Sequence, residues 1–501
     1  MRREAETPMM FILQMPTRRL PLARGESKGD IGKRIALFLF SALLLTGCSL
    51  HTTRVKDAPG EVPPVYSTGI NEAAPPLGRW WEQFGDGELN ALMEQVLRHN
   101  LDIRRAYERL QQSLAVAGIT DSARGPVVNL ESSGGRARQS VNGAVSTKDI
   151  YRLSAAARFE LDLWGKLRSQ SEAAHLDALA SEEALKALFI SISAQAADLY
   201  FLAAEQQLQI ELSDRTIASF QDTLDRVERR YREGLVPAID VYQSRQNLSS
   251  AKAQRPLFVQ NRAVALNALS VLTGQAPDAG KTGDGAVLPE PPSFSAGLPS
   301  QLLEHRPDVK EAFLLIQAQD KRVSAAIADR FPSFNLAGSY GGSSDKVRTV
   351  LDSPNIFWNI LLEAAQPVID AGRRRAEVDR AEAALRESLA AYHTTVLQAL
   401  ADVEDALARG SASEERISML ELTVSASEAS LRLALDRYLQ GLTDYLPVLT
   451  EQLRNVTSQS NLLAARRQLI SDRIQLARSL GGEWADSISS DYIIRMAEEG
   501  E

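Results

Sequence analysis

One stretch of this chain occurs twice, and that constrains every fold it can adopt. Residues His305 to Gly341, HRPDVKEAFLLIQAQDKRVSAAIADRFPSFNLAGSYG, lie without gaps on His99 to Gly135. His305, Asp308, Ala312, Gln317, Arg330 and Pro332 fall on His99, Asp102, Ala106, Gln111, Arg124 and Pro126, and Asn335, Leu336, Ser339 and Gly341 fall on Asn129, Leu130, Ser133 and Gly135: ten identities in 37 positions. The register persists downstream, where Gly165 matches Gly372 and the pair Arg230-Tyr231 with Gly234-Leu235 matches Arg437-Tyr438 with Gly441-Leu442. The period, about 206 to 208 residues, is far longer than the roughly 20 to 50 residues of a solenoid repeat. The 501 residues are therefore two copies of one structural half rather than the three or so domains that length alone would suggest.

Within each copy the periodicity changes from helix to strand and back. Asp86 to Ala123 reads as one helix, with Leu89, Leu92, Val96, Leu110 and Leu114 on a stripe, and Pro126 stops it. From Tyr151 to Leu163 the alternation is faultless: Tyr151, Leu153, Ala155, Ala157, Phe159, Leu161 and Leu163 on one face, Arg152, Ser154, Ala156, Arg158, Glu160 and Asp162 on the other. That dyad pattern outlasts most globular strands and reaches the 9 to 11 residues or so that a strand needs to cross a bilayer. Val127 to Arg138 pairs with it as a hairpin (127–163), and the second copy supplies Ser333 to Gly341 and Ile356 to Ala364, with Trp358, Ile360 and Leu362 on one face (hairpin 333–369). Strands of a soluble sandwich would recur every 8 to 12 residues or so, and here they do not.

After each hairpin comes a helix of great length, Gly165 to Arg232 and Gly372 to Leu439, on the order of 100 Å. Its last part keeps a 3,4 spacing in both copies (Ile217, Phe220, Leu224, Val227, Tyr231; Val424, Ser427, Leu431, Ala434, Tyr438), which predicts a coiled-coil seam, since so long a helix would not stand alone in water. Each ends at a glycine suited to the left-handed C′ conformation, Gly234 or Gly441, and a return helix follows, Ala238 to Leu272 and Leu446 to Leu480. The low aromatic content of 6% suits such long helices. Residues 79–274 and 300–482 thus form the two repeats, 275–299 a Pro/Gly linker, and 483–501 a short acidic tail.

The N-terminal region is an export signal. Lys33-Arg34 precede an 11-residue apolar run, Ile35 to Leu45, too short for a spanning helix of about 20 residues, and the run ends in LTGC. That tetrapeptide resembles the bacterial lipoprotein signal, in which the cysteine is lipidated and becomes the new N-terminus. Residues 1–47 are then the signal peptide, acylated Cys48 the mature start, and the Pro-rich residues 48–78 an extended tether. Ser49 after the cysteine implies, by the same resemblance, sorting to the outer membrane. Cys48 is the single cysteine, so no disulfide forms within one chain.

Four strands per chain cannot close a membrane barrel, whose smallest form has about eight, and lipid tolerates no open sheet edge. If the strands span, the chain must oligomerise, and three copies would supply twelve strands with the helices continuing below as a tube. A structural lipoprotein tethering envelope layers is the alternative, but a tether needs no strands with lipid-length apolar faces. Nucleic acid is excluded as a partner by the net charge of −8, which hides a still more acidic body because residues 1–47 carry eight basic and only four acidic groups. The sequence offers no catalytic constellation. Gly274 and Gly280-Lys281-Thr282 miss the phosphate-loop spacing, the five histidines show no metal-ligand spacing, and no Gly-x-Ser-x-Gly elbow occurs. No cofactor is expected beyond the lipid on Cys48.

The stretches RWWEQFGDGELNALMEQVLRHNLDI, EHRPDVKEA and RFPSFNLAGSYG, with the paired turns RYREGL and RYLQGL, resemble the outer-membrane factor (TolC-type) efflux family, in its lipoprotein, NodT-like branch. The resemblance covers Arg79 to Gly482. It implies a mainly α chain with a membrane β-barrel: a homotrimer with a twelve-strand barrel in outer-membrane lipid and a twelve-helix periplasmic tunnel. It implies a passive conduit for drugs and toxic compounds, completed by a periplasmic adaptor and an inner-membrane pump of the resistance-nodulation-division type. The family's gate link falls on Asp240 and Tyr438, its constriction carboxylates on Pro447 and Thr450, its partner arginine on Thr443, and its adaptor-docking turns on Gly234-Leu235 and Gly441-Leu442. This chain therefore keeps one gate link and lacks the others. A bare helix cap is the other reading of Asp240.

Overall fold

In the computed structural model, residues 63–67, 77–141, 144–277 and 288–500 are described. The chain divides into two units; Met1–Ser49 lies outside the described residues, and the architecture below belongs to Leu50–Glu501. Each half runs helix, helix, strand, strand, long helix, return helix. The first comprises α1 (Gly87–His99), α2 (Leu101–Ser122), β1 (Val127–Val141), β2 (Ala144–Leu161), α3 (Lys166–Arg232) and α4 (Ala238–Leu272). The second comprises α5 (Pro299–His305), α6 (Pro307–Ala328), β3 (Ser333–Ser344), β4 (Ile356–Ala365), α7 (Arg373–Leu439) and α8 (Tyr445–Leu480), and α9 (Trp484–Gly500) follows.

The helix expected over Asp86 to Ala123 is two helices, broken at Asn100. Its side-chain oxygen accepts from the N–H groups of Asp102 (2.9 Å) and Ile103 (3.1 Å), capping α2, while its amide donates to the Leu272 carbonyl (2.9 Å). The second copy breaks at the matching place, where Pro307 opens α6. The ends of the return helices press on both breaks: a Cβ on Gly274 would lie 2.6 Å from the His99 carbonyl oxygen, and a Cβ on Gly481 would clash with that of His305. The repeated histidines thus mark a backbone contact that only glycine allows, and Gly274 ends a helix rather than cradling phosphate.

A core at mid-length holds the halves together. Trp80, Trp81, Phe84, Phe189, Tyr200, Phe201, Tyr392 and Ile474 are buried there, against an alanine-rich face of α3. That face also contains the one described helical window apolar enough to cross a membrane, and 61% of it is buried in this core. Within residues 483–501, expected as a tail, Trp484–Gly500 instead form α9, whose Trp484 packs edge-on against Trp81 (4.8 Å) and whose Tyr492 meets Phe189 (5.6 Å). Acidic residues disguised it, but Asp491 and Glu498 are exposed, and Asp486 reaches Lys186 (3.0 Å). The described part of the tether is likewise laid down on the core: Tyr66 is buried, and Ser67 donates from its N–H (2.6 Å) and hydroxyl (2.5 Å) to Glu404 of α7. Burial, helped by the Glu404 carboxylate, pushes the Tyr66 hydroxyl up to about 12. The linker does not lie wholly outside the core either, since Phe294 and Ala296 are buried in it.

Candidate functional site: a sheet open at both edges and a closed helical tip

The four strands form one antiparallel sheet in the order β1-β2-β3-β4. Directly paired residues share a face, so the register decides what each face is made of. Leu130 pairs with Ala155, Ala155 with Tyr340 and Tyr340 with Trp358; Phe159 pairs with Leu336 and Leu336 with Leu362. This face is apolar across all four strands. It is turned to the outside: Leu130 is 78% exposed, Trp358 72% and Ile360 73%. The opposite face carries Asn129, Arg158, Glu160, Asn335, Ser339, Asn359 and Glu363, with Arg152 over the Phe357 ring (4.9 Å). The expected alternation on β2 is therefore the polarity of the whole sheet. The strand begins earlier than expected, at Ala144, and ends at Leu161, so Leu163 lies past it. There the chain turns off the sheet, with Asp162 accepting the Arg168 N–H (2.7 Å) and the Trp164 ring N–H donating to the Pro332 carbonyl (2.7 Å). β1 and β4 each have one neighbour, so both outer edges are unpaired among the described residues.

At the far end of the 67-residue helices α3 and α7, about 100 Å from their starts, the chain makes two identical turns. Gly234 (φ 73°) and Gly441 (φ 77°) are left-handed, Leu235 N–H donates to the Arg230 carbonyl and Leu442 N–H to that of Arg437, each at 2.9 Å. These are Schellman ends, which need a residue without Cβ at C′. Leu235 and Leu442 project into solvent.

Behind the turns lies a second apolar cluster, with Phe220, Leu224, Val227, Val241, Tyr438, Tyr445 and Val448. Asp240 and Tyr438, 198 positions apart, meet there: the Tyr438 hydroxyl donates to Asp240 Oδ2 at 3.2 Å, long for an O–H···O bond. Both side chains are buried. Burial raises the Asp240 carboxyl above its usual range, with Tyr438 opposing and the Asp444 charge reinforcing the rise. Burial also raises Tyr438, and Asp240 adds to it. Asp240 is not the N-cap of α4, which is Pro237; it lies inside the first turn. Above this pair, α8 is tied to α3 by polar links, Gln452 to Thr223 (3.0 Å) and Gln209 with Ser460 (2.9 and 3.1 Å). Pro447 is exposed and Thr450 half-buried, its hydroxyl turned back to the Leu446 carbonyl (3.0 Å); neither side chain is ionisable. Cys48 lies outside the described residues. The sequence marks Arg230 only as part of the repeat and does not mark Tyr445; both pack on Tyr438, at 5.3 Å (guanidinium to ring) and 5.3 Å (ring to ring).

An outward-facing apolar sheet whose two outer edges are unpaired among the described residues, joined to helices about 100 Å long, defines one protomer of an outer-membrane channel. The chain belongs to the outer membrane efflux protein family, whose sequence model matches residues 92–275 and 298–482, close to the two repeats. It is similar to the solvent efflux pump outer membrane protein SrpC of Pseudomonas putida (30% identity, covering 90% of this chain and 99% of that one). It is also similar to the probable outer membrane lipoprotein SilC of Salmonella typhimurium (26% identity, 90% and 99%). Among solved structures, the outer-membrane channel OprN superposes with a TM-score of 0.82 at 26% identity, covering 87% of this chain and all of that one.

Proposed function

We propose that three copies of this chain close, edge to edge, into a barrel of twelve strands, four from each, that opens into a helical tunnel. It is a passive conduit through which small toxic molecules leave the cell. The observation that carries this reading is the sheet: its apolar face suits lipid, and its two bare edges would each leave a row of unsatisfied backbone groups there unless β4 of one copy pairs with β1 of the next. Such a heterologous contact closes into a ring. No catalytic step is assigned; the energy for transport comes from an inner-membrane pump, of the resistance-nodulation-division type, acting through a periplasmic adaptor. Acylated Cys48 adds a lipid anchor in the outer membrane. The turns at Gly234-Leu235 and Gly441-Leu442 meet the adaptor, as the exposed leucines at the end farthest from the sheet fit. Asp240 and Tyr438 hold the tip shut between transport events.

Purified protein in planar bilayers tests the conduit directly. Discrete ion conductance is expected, and a tether would give none. For the docking turns, Gly234→Val with Gly441→Val is expected to abolish adaptor crosslinking while barrel assembly persists; undiminished crosslinking removes the turns from the interface.

A further inference from the structure

The duplication writes the same dipeptide at both ends of the tip, Arg230-Tyr231 before Gly234 and Arg437-Tyr438 before Gly441, yet the structure uses the two copies oppositely. Tyr438 is 3% exposed and Tyr231 47%. Arg437 points to solvent, whereas Arg230 is half-buried and turned across the tip into the other repeat. Its Nη1 donates to the backbone carbonyl of Leu439, its guanidinium lies 5.3 Å from the centre of the Tyr438 ring, and a Cβ on Gly441 would touch its Nη2 at 3.9 Å. Leu439 is the last residue of α7, so its carbonyl has no helical donor to follow it. A cation from another helix satisfies that carbonyl and meets the negative end of the α7 dipole.

We infer that Arg230 is the lock of the resting tip: one guanidinium, carried by the first repeat, caps the second repeat's long helix and holds Tyr438 in place toward Asp240. This rests on the reading that the tip is closed at rest. Opening that separates the α7/α8 pair from the α3/α4 pair must pull Arg230 off Leu439 and off the Tyr438 ring together, so the two contacts break as a unit. Arg230 acts as a positioning residue, with the aperture itself formed by others. A lysine could reach the carbonyl but would lack the planar fork that stacks on the ring while donating.

The test is single-channel recording on trimers verified by heat-resistant gel migration. Arg230→Met keeps the apolar stem and removes the donor and the charge; Arg437→Met makes the same change at the pseudo-symmetric position. Arg230→Met is expected to raise resting open probability on the order of tenfold, the worth of one charge-assisted hydrogen bond, with Arg230→Lys intermediate and Arg437→Met like wild type. Equal rises at positions 230 and 437 would overturn the lock by reducing it to a general charge effect. A rise in Asp240→Asn/Tyr438→Phe without one in Arg230→Met would overturn the lock and leave the closed-tip reading standing. No rise in any of these variants would overturn both. If Arg230→Met fails to assemble, Arg230→Lys decides: wild-type open probability refutes the lock, and an increase supports it.

Discussion

Ile360 and Leu361 are neighbours in the middle of β4 (Ile356–Ala365), and both expose their side chains, 73% and 50%. They face opposite ways, Ile360 opposite Gly338 on the apolar face and Leu361 opposite Ala337 on the polar one. In water the two would be equivalent sites for arginine. In a bilayer they are not, because an arginine on the lipid face near the midplane costs about 2 to 4 kcal/mol, whereas one on the lumen face stays hydrated. Three copies per assembly bring the cost of Ile360→Arg to about 6 to 12 kcal/mol, enough to abolish assembly. Since Ile360 is mostly exposed, little protein packing is lost with it. Leu361→Arg is expected to stay within about 0.5 kcal/mol, like an ordinary surface change. The assay is the fraction of heat-resistant trimer extracted from outer membranes, with detergent-refolded protein as the control, in which the difference should shrink. Equal losses for both variants, or a greater loss for Leu361→Arg, would refute the assignment of faces and with it the barrel.

Trp484→Ala removes a nearly buried ring, 5% exposed, from its edge-on contact with Trp81, and should cost about 3 to 5 kcal/mol; an unchanged helical melting temperature would mean that α9 is not part of the core. For Asp240, burial raises the folded-state pKa, so the closed tip binds a proton more tightly than the open one. The stabilisation of the closed tip is therefore full at low pH and is lost as pH rises through the raised value, and resting conductance should fall on acidification from neutrality toward about pH 4. Asp240→Asn should flatten that response, and a wild-type conductance that rises on acidification would reverse the assignment. Cys48→Ser should abolish the lipid mass on the N-terminal peptide without preventing trimers, because barrel closure holds the strands in the bilayer; an unmodified wild-type peptide spanning Thr46 to Ser49 in the membrane fraction would contradict the anchor.

The sequence by itself determined the duplication, the length and limits of the long helices, the positions of Gly234 and Gly441 and the two-faced strands, because each is written in a local period or in a residue with singular backbone freedom. The break at Asn100 was legible too, as an asparagine ahead of Asp102 and as Pro307 in the other copy, but the apolar stripe running past it masked the signal. Tertiary structure decided what depends on partners far along the chain. Residues 483–501 look like a solvated tail until Trp484 finds Trp81, about 400 positions away. Tyr66 looks like part of a free tether until Ser67 bonds Glu404. Arg230 and Arg437 open matching motifs, RYREGL and RYLQGL; only the packing of the two repeats at the tip turns one inward onto Tyr438 and leaves the other in water. Asp240 and Tyr438 lie 198 positions apart in different repeats, so only the fold could bring them together at the tip.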